Sequence, residues 1–97
     1  MGVDLTKEGV MTDYLKVPTA HMVGAVQRYL GRGISPGQFL TAVICNDLKG
    51  AFGRADMDNA AAMRDWVRFF CNEVPGDAWG SPEVMKAWQR KFKEGAA

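Results

Sequence analysis

The sequence predicts an all-α fold, a compact bundle of four helices with room for a short fifth at the N-terminus. Three observations carry this. Apolar residues recur at three- and four-residue steps in four separate stretches, the spacing that gathers them on one face of a helix. Ser-Pro heads two of these stretches, at 35–36 and 81–82, joining a capping hydroxyl to a proline whose missing N–H costs nothing in a first turn. No stretch of comparable quality alternates apolar and polar residues as a strand would.

Residues 1–17 carry no cap followed by a sustained stripe and read as an N-terminal arm, in which Val10, Met11, Tyr14 and Leu15 can make one short amphipathic turn. A single helical domain follows over 18–94. Pro18 resets the chain, and Thr19 is placed to cap a helix over 20–30 with Met22, Val23, Val26 and Leu30 on its apolar side and Tyr29 beside them. Gly31 and Gly33 stop it. The linker Gly31-Arg32-Gly33-Ile34-Ser35 is short enough to fold the next helix back against the first.

The central helix is expected to run unbroken over 35–53. Phe39, Leu40, Val43, Ile44, Leu48 and Ala51 form its stripe, and Gly53 suits the left-handed residue that ends a helix. A third helix starts at Asp56, an N-cap followed by Asp58 in the first turn, and runs to Asn72 or Glu73. Its stripe is Ala60, Met63, Trp66, Val67, Phe70 and Val74, widened by Phe69. After the turn Pro75-Gly76-Asp77 and the irregular Trp79-Gly80, a last helix from Pro82 carries Val84, Met85, Trp88 and Phe92 on one side. Lys86, Arg90, Lys91 and Lys93 fill its polar positions.

Ninety-seven residues, 47% of them hydrophobic, suffice for one core and one domain. The net charge of +1 argues against a dedicated nucleic-acid binder, whose footprint is basic, and leaves room for a locally basic pocket. Cys45 and Cys71 make neither a disulfide framework nor a CxxC motif, so free thiols in a reducing compartment are expected. No apolar run is long enough to span a bilayer, and no membrane partner is expected. Met1-Gly2-Val3-Asp4-Leu5-Thr6 fits the degenerate myristoylation pattern, which is too short to carry weight.

Asp47 is the oddest residue of the central helix. It falls near the middle of the apolar stripe, with Asn46 at the edge. Either the two line a pocket or subunit interface and receive a ligand's hydroxyl or base edge, or Asp47 caps a neighbouring helix or pairs with Arg28, Arg54 or Arg64. The second kind of role is the commoner one for a buried polar group. The loop from Gly31 to Gly37 offers small residues, the helix start at Ser35, and Arg32, whose guanidinium can fork onto phosphate. A plain helix-to-helix turn explains it as well, and it is neither a Walker loop nor a dinucleotide fingerprint.

Trp79 and Tyr29 can stack on a base or simply cover the core. His21 is the only histidine and lacks the partners of a zinc site. The basic residues of the last helix suit a solvated face as well as a nucleic-acid backbone. No Ser-His-Asp, Cys-His or paired-carboxylate arrangement stands out, so neither an enzyme nor a cofactor is expected.

The run Pro36-Gly37-Gln38-Phe39-Leu40-Thr41-Ala42-Val43, then Asn46-Asp47-Leu48 and Ala51-Phe52-Gly53-Arg54-Ala55-Asp56, leads on to Asn72-Glu73-Val74-Pro75, Trp79-Gly80-Ser81-Pro82 and Trp88. Together they resemble a group of short proteins encoded by phages and prophages. The resemblance covers residues 20–90. It implies a viral accessory protein in the cytoplasm of an infected or lysogenic bacterium. Proteins of that kind often counter host defence, and one class forms homo-oligomers that sequester nucleotide immune signals such as cyclic dinucleotides or cyclic ADP-ribose isomers.

The expectation is therefore an oligomeric protein that holds a small phosphorylated nucleotide without turning it over. In that picture Arg32 meets phosphate beside the Ser35 helix start, or Arg54 of a neighbouring copy does. Tyr29 or Trp79 stacks on the base, and Asn46 with Asp47 holds ribose or base edges. Oligomerisation would also hide the three tryptophans. Two alternatives stand beside it: a protein-interaction inhibitor of a host defence enzyme or CRISPR complex, and a small nucleic-acid-binding regulator that uses the basic last helix.

Overall fold

Six α-helices and three single 3-10 turns order residues 12–95, the part of the chain that the computed structural model describes. They are α1 (Val23–Arg32), α2 (Gln38–Ile44), α3 (Leu48–Arg54), α4 (Met57–Ala61), α5 (Met63–Glu73) and α6 (Pro82–Gly95). The described residues hold no strand, so the all-α expectation stands while the count of four helices does not. Both extra helices come from breaks inside stretches that read as single helices.

The first break falls at Asn46-Asp47. Asn46 takes the left-handed conformation, φ 63°, and Asp47 then caps α3 by accepting the Gly50 N–H at 2.9 Å. Asn is one of the few residues that tolerates this conformation, and Asp is a preferred N-cap. The carbonyl of Ile44, which would accept the Leu48 N–H in a continuous helix, accepts the Gly80 N–H at 2.7 Å instead. The break rotates the following residues: Leu48 leaves the core and is 67% exposed, and Asp47 is exposed rather than buried in a stripe. Gly53 does not end the helix, which runs on through Arg54.

The second break is a one-residue hitch at Ala62 between α4 and α5. Asp56 caps α4 as expected, accepting the Asn59 N–H at 2.8 Å. Val67 lies outside the core at 45% exposure.

The two Ser-Pro starts fold differently. Ser81 accepts the Val84 N–H at 3.1 Å and Pro82 opens α6. At 35–36 the helix begins only at Gln38, because Gly37 has φ 94° and Ser35 Oγ accepts from Gln89 of α6. Thr19 likewise caps nothing with its side chain. Its hydroxyl donates to Asn59 Oδ1 at 2.8 Å, and Trp66 Nε1 donates to the same oxygen at 3.0 Å.

Trp66 is fully buried at the centre of the core, in edge contact with Phe39 and Phe69 and beside Phe70. Tyr29, Leu40, Ile44, Val26 and Val74 complete the most buried set, each contributing roughly 1.5–3 kcal/mol by burial for a side chain of this size. The radius of gyration, 13.1 Å, matches a compact chain of this length. Trp66 and Trp88 are buried within one copy, and Trp79 packs on Phe70, so the tryptophans give no reason to invoke a second copy.

The described part of the arm docks on the end of α5. Thr12 Oγ1 donates to the Glu73 carbonyl at 3.0 Å, Lys16 pairs with the Glu73 carboxylate at 3.3 Å, and Val17 is buried. Of the turn expected from Val10, Met11, Tyr14 and Leu15, only Tyr14–Lys16 is described, as a 3-10 turn with Leu15 95% exposed. Val10, Met11 and the myristoylation pattern lie outside the described residues.

Candidate functional site

α1 ends where the chain turns back against α6, and the turn needs a glycine. Gly33 has φ 69°, and its N–H folds back onto the carbonyls of Arg28 and Tyr29. A Cβ there would lie 2.9 Å from Phe92 Cδ2 and 3.3 Å from Gln89 Cα. Two hydrogen bonds lock the junction: Trp88 Nε1 donates to the Tyr29 carbonyl at 3.1 Å, and Gln89 Nε2 to the Gly33 carbonyl at 3.0 Å. Both carbonyls flank Arg32, so the backbone that carries Arg32 is fixed relative to α6.

The result is an open groove of about 640 Å³. Arg32 and Gly33 form one wall; Lys86, Gln89, Arg90, Phe92 and Lys93 of α6 form the other. Among the residues whose side chains are described (12–93), four cations line it and no carboxylate does. None of the four makes an ion pair with a side chain of residues 12–93. Other grooves of the surface mix their signs. One sets Lys16 and Arg68 against Asp65 and Glu73, and another sets Arg54 against Asp47.

The remaining cation of α6, Lys91, is used elsewhere: it pairs with Asp77 at 3.5 Å and lies over the Trp88 ring at 4.3 Å. Arg32 and Lys93 sit in the last turns of their helices, where the dipole favours positive charge. That effect fades within one turn and leaves Lys86 and Arg90 unexplained. The pair is four residues apart on one helix face, an arrangement that costs a few tenths of a kcal/mol on its own.

The residues expected to form one ligand site fall into four groups. Arg32 lines the groove, and Ser35 stands at its edge, where Gln89 Nε2 donates to its Oγ at 3.1 Å. Asn46, Asp47 and Trp79 border a small apolar depression of about 110 Å³ on the other side of the α2–α3 break, together with Leu48 and Val67. Arg54 donates to the Gly50 carbonyl at 3.4 Å and lines another groove together with Asp47.

Tyr29 is a core residue, 1% exposed, whose hydroxyl donates to the Ala78 carbonyl at 2.6 Å. Burial raises its pKa far above the usual phenol value, and the nearby Cys45 adds to this. Burial also pushes up the Cys45 thiol, as do the carboxylates of Asp47 and Glu83 against a smaller opposing effect of Lys86, which leaves it a poor nucleophile. His21 lies against Asp56 at 3.1 Å. No cluster that could hold a metal ion occurs among the described residues, and none of their helices is long and apolar enough to cross a membrane.

Sequence reasoning singled out Arg32 and, separately, the basic residues of α6, without joining them. The i, i+4, i+7 spacing of Lys86, Arg90 and Lys93 was the available signal for one charged stripe. No family model, no curated protein and no solved structure matches this chain.

Proposed function

We propose that this chain is a non-catalytic binding protein for a phosphorylated nucleotide ligand, held in the groove between the end of α1 and α6. The single-sign lining carries the reading: among the described side chains, four cations with no carboxylate beside them favour an anion. Phe92, half-buried and in edge contact with Trp88, supplies an aromatic surface beside them. The described lining offers charge, one amide and one ring, and no carboxylate or imidazole to move a proton, which suits holding a ligand rather than converting it. In an infected bacterium such a protein would withdraw a nucleotide signal from host defence, the role implied by the resemblance to phage-encoded proteins.

Titration calorimetry with adenosine monophosphate at low salt tests the reading. Exposed charge contacts are each worth roughly 0.2–1 kcal/mol, so reversing two of them weakens binding about tenfold or more. Arg32→Glu with Arg90→Glu is expected to show that loss, while Lys49→Glu, outside the groove, retains the affinity. Absence of binding to the unmodified chain by adenosine monophosphate and by nucleotides of two or more phosphates alike, or equal affinity in all three proteins, overturns it.

A protein-interaction role is favoured by a different observation. Leu48 and Val67, 67% and 45% exposed, border the same apolar depression. If that face serves the function, Leu48→Glu abolishes it and leaves nucleotide affinity intact.

A further inference from the structure

We infer that the groove takes a ligand with at least two phosphates in line, lying along α6, rather than a lone phosphate. This rests on the anion-binding reading above and extends it to the class of ligand. Lys86, Arg90 and Lys93 follow one another at i, i+4 and i+7. At 1.5 Å per residue they spread over roughly 10 Å of helix axis. A single phosphate is too small to meet all of them, whereas one strand of a duplex presents about three phosphates over that length.

Arg32 is not spread evenly along the stripe. Gly33 packs against Gln89 and Phe92, so the backbone that carries Arg32 lies beside the Arg90–Lys93 end, and Lys86 stands roughly 6 Å further up the helix. The groove therefore offers a dense cationic end for one phosphate and a separate cation for the next. Glu83 lies one turn ahead of Lys86 and outside the lining, so none of the described carboxylates faces the stripe from within the groove. The groove is open, which admits a linear strand or a compact dinucleotide alike. The shared chemistry is a phosphodiester or polyphosphate carrying two or more phosphates.

The test uses the full chain, titrated at one low salt concentration with adenosine monophosphate, the linear dinucleotide pApA, a cyclic dinucleotide and a single-stranded 12-mer. Lys86→Gln, an exposed substitution, is titrated alongside. At least tenfold tighter binding of pApA than of the mononucleotide is expected, with Lys86→Gln erasing that advantage and Lys49→Gln, outside the groove, keeping it. Equal affinity for the two, or an advantage that survives Lys86→Gln, overturns the inference while the anion-binding reading stands. Failure of every probe to bind overturns both. Preference for the cyclic dinucleotide identifies a small signal as the source of the phosphates. Preference for the 12-mer, with affinity falling with salt at a slope of roughly −2 to −3 on logarithmic axes, identifies a strand.

Discussion

Gly31 and Gly33 lie two positions apart at the end of α1, yet alanine is expected to move stability in opposite directions at the two sites. Gly31 is helical and exposed, and a Cβ there would meet nothing within 4 Å. Alanine gains helix propensity at such a site, about 0.5 kcal/mol this near a helix end. At Gly33 the left-handed backbone alone costs an L-residue roughly 1–2 kcal/mol. The added methyl must also push aside Phe92 at 2.9 Å and the Gln89 backbone at 3.3 Å. Overpacking of that kind costs roughly 1–3 kcal/mol more, so Gly33→Ala is expected to lose roughly 2–5 kcal/mol. In a domain of this size each kcal/mol moves Tm by roughly 4–8 °C, so the loss is at least about 8 °C. Urea unfolding followed by tryptophan fluorescence and by far-UV circular dichroism measures both variants and checks two-state behaviour. A Gly33→Ala protein within about 1 kcal/mol of the parent would refute the close α1–α6 junction, and with it the placement of Arg32 in the groove.

Three further outcomes follow from the interior and its edge. Asn59→Ala strips one acceptor from two buried donors, Thr19 Oγ1 and Trp66 Nε1, and is expected to cost roughly 2–4 kcal/mol in urea unfolding. Tyr29→Phe removes the hydrogen bond to the Ala78 carbonyl and is expected to cost about 1 kcal/mol while leaving nucleotide affinity unchanged, since the ring is buried. The Asn59 N–H holds the Asp56 carboxyl below its ordinary pKa, helped by the side chain of His21. The folded protein then binds fewer protons than the unfolded chain at acid pH. Asp56 therefore contributes stability above the ordinary aspartate pKa and loses it as pH falls through the lowered value. The stability gap between the parent and Asp56→Asn is expected to narrow from about pH 6 to pH 3; a gap that widens refutes the assignment.

Much of the fold was legible because local signals and packing agree. Asp56 and Ser81 cap as their residue types suggest, and Val26, Leu30, Phe39, Leu40, Trp66, Phe70 and Met85 are buried as their spacing predicts. Disagreements arise where a distant element claims a local group. Ser35 and Ser81 begin the same dipeptide, but Gln89 takes the hydroxyl of the first, and Gly37 with φ 94° stands outside helical geometry. Thr19 gives its hydroxyl to Asn59 across 40 positions of sequence. The groove was half visible for the same reason. Its α6 wall is written in a local repeat, whereas Arg32 reaches it through hydrogen bonds from Trp88 and Gln89 that span 59 and 56 positions.

The break between α2 and α3 is where sequence periodicity and structure part most sharply, and Asn46 can decide between them. In an unbroken helix over 35–53, Asn46 would be an interior residue. Alanine would then stabilise by roughly 0.5 kcal/mol on propensity, and glycine would be the worse substitution. With Asn46 at φ 63° and exposed, the order reverses. Glycine enters the left-handed region freely and is expected to change stability by less than about 0.5 kcal/mol, while alanine costs about 1 kcal/mol. Asn46→Gly should therefore be the more stable of the two in urea unfolding, and the opposite order would restore the continuous helix. Two other groups back the broken form. Asp47 needs a helix start to cap, and the Ile44 carbonyl is already committed to the Gly80 N–H. The apparent paradox of a carboxylate in the middle of an apolar stripe then dissolves, because α2 and its stripe end at Ile44, three residues before it.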